Sequence, residues 1–198
     1  MRNDSKKIIG IDEAGRGPLA GPVVVAGVLY RGSTAFPKML RGIKDSKKLS
    51  ARQRDEWYAL ITACPDFAWA TARVAPAMID RINILQASRM GARRVYKKLA
   101  PKNDVLALLD GGLILPSSVE QKTIIKGDEK ISLIAAASVI AKVTRDRLML
   151  KLHKKYPCYR FDLHKGYGTA LHRKMLGQYG ACPVHRVSFH FKRQGDSA

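Results

Sequence analysis

The sequence predicts an α/β fold built on a mixed sheet, and three observations carry that prediction. Two apolar runs, Lys7 to Ile11 and the valine-rich Pro22 to Tyr30, follow one another with no helix between them. A third strand-like run, Phe67 to Val74, comes after one helix, and helix and strand alternate from there. The longest helical pattern, Ile131 to Tyr156, closes the series. An antiparallel start with parallel additions follows from that order.

Each element has its local reason. Lys7 to Ile11 is a short buried strand. Gly15 to Gly21 carries too many glycines and prolines to be helical and connects it to the second strand. Ser50 is placed to N-cap a helix over Ala51 to Thr62. Phe67 to Val74 alternates as a half-buried strand does. Ile84 to Leu99 has apolar residues at helical spacing with arginine and lysine between them. Asp104 to Asp110 is a buried strand that ends at Gly111-Gly112, and Lys122 to Ile125 is a further short strand. In the last helix, Ile131 to Ala141 is apolar all round and should be buried, whereas its second half turns basic. No repeat or linker divides the chain, so a single domain over residues 1–198 is expected, with 192–198 a frayed tail.

Composition narrows the function. At 198 residues and 46% hydrophobic, the chain can bury a substantial core and is not a disordered tail. Lys and Arg number 36 against 16 Asp and Glu, a formal charge of +20. Such a chain binds polyanions: nucleic acid first, an anionic membrane surface second. The longest uncharged run, Gly17 to Tyr30, is interrupted by glycine and proline and is too short to span a bilayer. The N-terminus lacks the apolar region of a signal peptide. Cys64, Cys158 and Cys182 are far apart and odd in number, which suggests neither a disulfide framework nor a zinc site. They are read as reduced thiols of a cytoplasmic protein.

The chemistry lies in where the few acids sit. Asp12 and Glu13 close the first strand, Asp110 closes the fourth, and Asp128 follows the fifth in Ile125-Lys126-Gly127-Asp128. In an open α/β sheet, sites form where such strand ends meet. Strand alternation sends Asp12 and Glu13 to opposite faces, so a bend at Ala14-Gly15-Arg16-Gly17 is expected to bring both to one site. Gathered carboxylates repel one another, and divalent cations relieve the repulsion. Oxygen ligands without His or Cys select hard ions such as Mg²⁺ or Mn²⁺. Two such ions can activate a water and stabilise the leaving oxygen of a phosphodiester. A lone Asp at a strand end is more often a cap or turn residue; the set in a basic chain is what points to a metal-dependent nuclease.

These residues carry a resemblance. Ile11-Asp12-Glu13-Ala14-Gly15-Arg16-Gly17-Pro18-Leu19-Ala20-Gly21-Pro22-Val23 resembles the N-terminal signature of the type 2 ribonuclease H family, bacterial ribonuclease HII. Asp45-Ser46-Lys47-Lys48-Leu49, Leu109-Asp110-Gly111, Lys126-Gly127-Asp128, the helix Ala135 to Asp146, His164-Lys165-Gly166-Tyr167 and His185-Arg186-Val187-Ser188-Phe189 resemble its later motifs in the family's order. The likeness runs from about residue 8 to 190. It implies an RNase H-like fold, a five-stranded mixed sheet flanked by helices. It implies cleavage of RNA in RNA–DNA hybrids and incision 5′ of single ribonucleotides embedded in duplex DNA, the opening step of ribonucleotide excision repair. The family's catalytic, metal-binding acids fall on Asp12, Glu13, Asp110 and Asp128, with two Mn²⁺ or Mg²⁺ ions when substrate is bound. No obligate protein partner is implied, and a monomer is expected; the tail carries no clamp-binding motif.

The resemblance also implies substrate contacts. The loop Gly15-Arg16-Gly17 would read the ribose 2′-hydroxyl largely through backbone groups; glycine lets backbone approach a ligand closely, although a plain tight turn would use it too. Tyr167 would pack on the sugar after the ribonucleotide, where a 2′-hydroxyl fits poorly, and so read an RNA-to-DNA step; otherwise it is a core tyrosine. Ser138, Lys142 and Arg145 lie at i, i+4 and i+7 on the long helix, hence on one face that would hold phosphates. Ser46 and Lys47 would do the same from a loop. The plain alternative for each cation is a solvated surface charge. Asp146 would steady Lys142 or Arg145. The histidines fit no compact metal site by spacing, and His164 and Lys165 would line the groove. The rivals are a basic nucleic-acid-binding protein without catalysis, against which all four acids argue, and a related-fold enzyme that cuts DNA junctions, against which Gly15-Arg16-Gly17 and Tyr167 argue.

Overall fold

The computed structural model describes residues 7–32, 38–43, 46–100 and 105–189. The N-terminal Lys7–Ala14 (β1) and the valine-rich Val23–Tyr30 (β2) pair antiparallel. Phe67–Val74 (β3) pairs antiparallel to β2. Val105–Asp110 (β4) lies parallel to β1, and Gln121–Ile124 (β5) parallel to β4. The order β3-β2-β1-β4-β5 is the mixed sheet that the element order predicts.

Helices cover both faces. Pro76–Leu99 (α2) packs Ala92, Val95 and Tyr96 on Ile9, Ile11, Val25 and Leu109. Ser132–Lys155 (α4) packs Leu133, Ala136, Ala137 and Ile140 on Ala26 and Val28 of the opposite face. Leu133 to Ala141 are all buried, as an all-round apolar segment should be. Contact between α4 and β1 is close enough to require Gly10: a Cβ there would lie 2.4 Å from the backbone of Leu133. Ala51–Ala63 (α1) begins at Ser50, which forms a capping box with Gln53. After a short turn Gly127–Lys130 (α3) and α4 come the small helices Phe161–His164 (α5) and Ala170–Tyr179 (α6), which build a separate apolar cluster around Tyr159, Phe161 and Met149.

Four local expectations are corrected. The first strand does not stop at Ile11 but runs through Asp12 and Glu13 to Ala14, paired to β2. The expected bend, which falls at Arg16 and Gly17, therefore comes after the two acids and does not turn both to one face. Helix α2 starts at Pro76, not Ile84; Asn83 (φ 63°) breaks it, and its Oδ1 accepts from Gln86 N at 3.0 Å, so Ile84 begins a second, Asn-capped helix. The fifth strand is shifted by one residue. Asp128 sits on the helical turn α3 rather than at a strand end. Asp45, Asp104, His190 and the 192–198 tail lie outside the described residues.

Candidate active site

Three elements deliver the acids. On β1, alternation keeps Ile9 and Ile11 toward α2 and sends Asp12 toward α4, the helix that carries Ser138. Glu13 therefore leaves the opposite side of the strand, yet both acids feel the charge of Asp110 at the end of neighbouring β4. The parallel pairing of β1 with β4, Ile11 opposite Leu109, puts Asp110 there. Asp110 Oδ1 accepts from Gly127 N at 2.7 Å, which brings α3 and the buried Asp128 to the same edge.

Electrostatics mark the cluster as costly. Burial raises the Asp12 carboxyl well above the usual range, and Glu13 and Asp110 add to it, against the pull of Glu13 N–H and Ser138. Burial pushes Glu13 up to about 7; Arg16 pulls the other way and Asp110 adds to the rise. Glu13 Oε2 is buried and has no hydrogen-bond partner among the described residues. Protein donors meet the other charges: Arg16 Nη1 lies 3.3 Å from Glu13 Oε1, and the largely exposed Lys47 Nζ lies 3.4 Å from Asp128 Oδ2. Among the described residues, no three His, Cys, Asp or Glu side chains are gathered closely enough to hold a metal ion as they stand. The donors nevertheless fit one. They are all oxygens, they repel one another, and one buried carboxylate oxygen lacks a partner among the described residues. The exposed Lys47 and Arg16 occupy the positions from which a divalent ion would displace positive charge.

The remaining expected site residues divide. Ser138 is buried and bonds Ser46 Oγ at 2.7 Å, and its hydroxyl pulls the Asp12 carboxyl downward in pKa. Neither serine presents a phosphate contact. Arg145 is likewise buried: it donates to Ala20 O and Pro22 O, both at 3.1 Å, and holds the Gly15–Gly21 connector from below. The i, i+7 spacing gives a shared face, but the connector covers its far end. Lys142 is partly exposed and paired to Asp146 at 2.9 Å, as expected of Asp146. Tyr167 is exposed, with Lys142 Nζ and Arg145 Cζ 5.8 and 5.7 Å from its ring. Gly166 O accepts from Leu19 N and Ala20 N, so the Tyr167 turn is joined to the connector.

Two groups escape a reading of the sequence. Arg186 is fully buried and donates to Gly15 O at 2.6 Å, Arg16 O at 2.8 Å and Gly21 O at 2.9 Å, which fixes the glycine loop from behind. Asp80, on α2, accepts from Val187 N and Ser188 N and so anchors the segment that carries Arg186. A long basic side chain with no acid beside it in sequence gives no sign that carbonyls will satisfy it. The second group is a histidine cluster: in sequence His164 and His185 are unconnected motif residues, and His172 belongs to no motif at all. His164 is buried and turned into the small apolar cluster, not along a groove.

The chain is similar to known proteins in sequence and fold. The family model described as Ribonuclease HII matches residues 9–192. The ribonuclease HII of Syntrophobacter fumaroxidans is 48% identical over 188 residues, which are 95% of this chain and 78% of that protein. That of Geobacter metallireducens is 45% identical over 95% of this chain and 85% of its own. Among solved structures, a PCNA:RNase HII complex from Archaeoglobus fulgidus superposes with a TM-score of 0.74 at 28% identity, covering 93% of this chain and 95% of that one. The chain belongs to the ribonuclease HII family, metal-dependent endoribonucleases that act on RNA–DNA hybrids.

Proposed function

We propose that the chain hydrolyses RNA in hybrids and also incises duplex DNA 5′ of a single embedded ribonucleotide, leaving a 3′-hydroxyl and a 5′-phosphate. Asp12, Glu13, Asp110 and Asp128 are the metal-binding, catalytic acids. The observation that carries this is the buried Glu13 Oε2, without a hydrogen-bond partner among the described residues. Burial and the Asp110 charge raise its carboxyl, beside an Asp12 carboxyl raised by burial and by Glu13 and Asp110. These four acids would hold two Mg²⁺ or Mn²⁺ ions, whose chemistry would be to activate a water and stabilise the leaving 3′-oxygen. Ser138, backed by Ser46, keeps Asp12 oriented; Lys47 and Arg16 neutralise the acids before the ions arrive. Arg186 turns the Gly15 and Arg16 carbonyls inward, and the loop's N–H groups are left to meet the 2′-hydroxyl. Tyr167 stacks on the next sugar and rejects a second 2′-hydroxyl. RNA–DNA hybrid and ribonucleotide-containing duplex are the partners. Among the described residues no helix is long and apolar enough to cross a membrane.

The mapping of ends tests the reaction. A labelled duplex with one ribonucleotide should give a 3′-hydroxyl DNA strand and a strand beginning with a 5′-phosphorylated ribonucleotide. Cleavage 5′ of the ribonucleotide keeps its own 2′-hydroxyl from attacking the scissile phosphorus. Cyclic phosphate products, or cleavage in excess chelator, would exclude the proposal.

Salt dependence separates the two cations of α4. Lys142→Ala should flatten the plot of log K against log salt by about 0.5 to 1, the share of one neutralised phosphate. Arg145→Ala should leave the slope unchanged, because that guanidinium is buried, with its Nε and Nη2 on backbone carbonyls. Filter binding in Ca²⁺ over a salt series reads both; an equal flattening by the two variants would return Arg145 to the phosphate contacts.

A further inference from the structure

We infer that His172 and His185 form a neutral relay that positions Tyr167, and are thereby specificity-determining residues for the ribonucleotide-to-DNA step; this rests on the role proposed for Tyr167. The hydrogen-bond pattern allows one proton arrangement. Tyr167 O can only accept, so His172 Nδ1, 2.9 Å away, carries the proton. His172 Nε2 is then bare, and His185 Nε2 at 3.1 Å must donate to it. That leaves His185 Nδ1 bare, where it accepts from Cys182 N at 2.9 Å, with the Cys182 thiol 3.2 Å away. Cys182 O, 3.3 Å from the same nitrogen, could accept only from a protonated Nδ1, which the N–H donor excludes. His164 stacks on His172 with ring centroids 4.3 Å apart and is fixed in the same way: its Nδ1 accepts from Gly166 N and its Nε2 donates to Tyr159 O. Adding a proton to either relay histidine would set N–H against N–H or leave a charge in an apolar cluster. Burial accordingly lowers all three basicities, that of His172 to about 4.

Both ends of the relay hold substrate-reading parts. One end grips the carbonyl of Tyr167, whose ring is exposed while its backbone is tied down. The other end, His185, forms a β-bridge to Ala20 of the connector and directly precedes Arg186, which clamps Gly15 and Arg16. The relay therefore sets the distance between the two elements that would judge the ribose and the sugar after it. A shift of an ångström at the Tyr167 end costs discrimination before it costs chemistry, because the acids lie on other elements and Arg186 still holds the Gly15 loop.

The test compares cleavage of a single-ribonucleotide duplex with cleavage of a uniform hybrid. His172→Leu removes the donor to Tyr167 and the acceptor for His185 at similar volume. It should lower the ratio of kcat/KM on the two substrates about tenfold, with the uniform-hybrid rate kept within about threefold. His172→Asn, whose amide N–H can replace the Nδ1 donor but which offers His185 no acceptor, should recover about half of the lost ratio on a logarithmic scale. Parallel loss on both substrates, no recovery with asparagine, or full recovery with it would overturn the relay. Tyr167→Ala is measured beside them. If it leaves the ratio intact, the reading of Tyr167 falls; if it lowers the ratio and His172→Leu does not, only the relay falls. Long-range ¹H–¹⁵N spectra of the unmodified protein at pH 7 read the tautomers without any substitution. Nδ1–H on His172 with Nε2–H on His164 and His185 is expected, and any other pattern overturns the arrangement.

Discussion

Asp12→Asn and Asp110→Asn should each lower cleavage about a thousandfold or more, about 4 kcal/mol of barrier, with the fold intact. Glu13→Gln and Asp128→Asn should fall in the same class. Each change removes a charge from a cluster that shares its field and removes almost no volume, so packing is untouched. The sign of the stability effect is a second, independent check. Glu13 has a folded-state pKa raised from 4.5 to about 7. A carboxyl shifted upward stabilises the fold fully below its unfolded value and loses that contribution as pH rises through the folded value. Metal-free Glu13→Gln should therefore melt about 3–6 °C above the parent at pH 8, and the gap should close near pH 4. Saturating Mg²⁺ should raise the parent's melting temperature more than the variant's. Near-normal turnover by a variant would remove that residue from the catalytic set; a lower metal-free melting temperature for Glu13→Gln at pH 8 would show its charge to be welcome where it lies.

Much of this site is written locally in the sequence, and the parts that are not share a physical cause. The sheet is legible because β1, β2 and β4 are apolar runs, β3 alternates, and glycine and proline mark the breaks. The acids are legible because charge is rare beside such runs. The start of the second segment of α2 at Ile84 is legible because Asn83 is a good cap; the preceding turn, with only Met78, Ile79 and Ile82 as an apolar face, is too short to show a period. Helix α6 does carry a local signal, Thr169 as cap with Leu171, Met175 and Leu176 at helical spacing, but the expected elements stop short of it. For Arg145 and Ser138 the helical face is right and the partners are wrong. Periodicity fixes the direction of a side chain and says nothing of what a distant loop lays over it. Arg186 and the histidine relay depend wholly on such long-range closure: His185 meets Ala20 across the fold, and three imidazoles at irregular spacing share one cluster.

Gly15→Ala and Gly17→Ala should fail in different ways, although the two glycines flank one arginine. Gly15 has φ +97°, in the region L side chains avoid, and a Cβ there would lie 2.1 Å from Arg145 Nε. Arg145 cannot swing aside without abandoning Ala20 O and Pro22 O, and it is buried, so a displaced guanidinium would lose bonds that no water replaces. Strain and lost bonds together should cost about 3 kcal/mol or more of stability, a fall in melting temperature of about 6–12 °C. The loop that Arg186 clamps would shift with it, and activity on every substrate should drop about a hundredfold. Gly17 differs: a Cβ there would have nothing within 4 Å, and its backbone is not in the positive-φ region. A methyl group at that position meets no protein atom, so Gly17→Ala should melt within about 1–2 °C of the parent, as an unstrained surface change does. The methyl would stand where the ribonucleotide backbone is proposed to approach, and cleavage should fall about tenfold or more through KM. Thermal melting and steady-state kinetics on the single-ribonucleotide duplex separate the two. A Gly17→Ala enzyme with parental KM would mean that substrate does not come near this loop position.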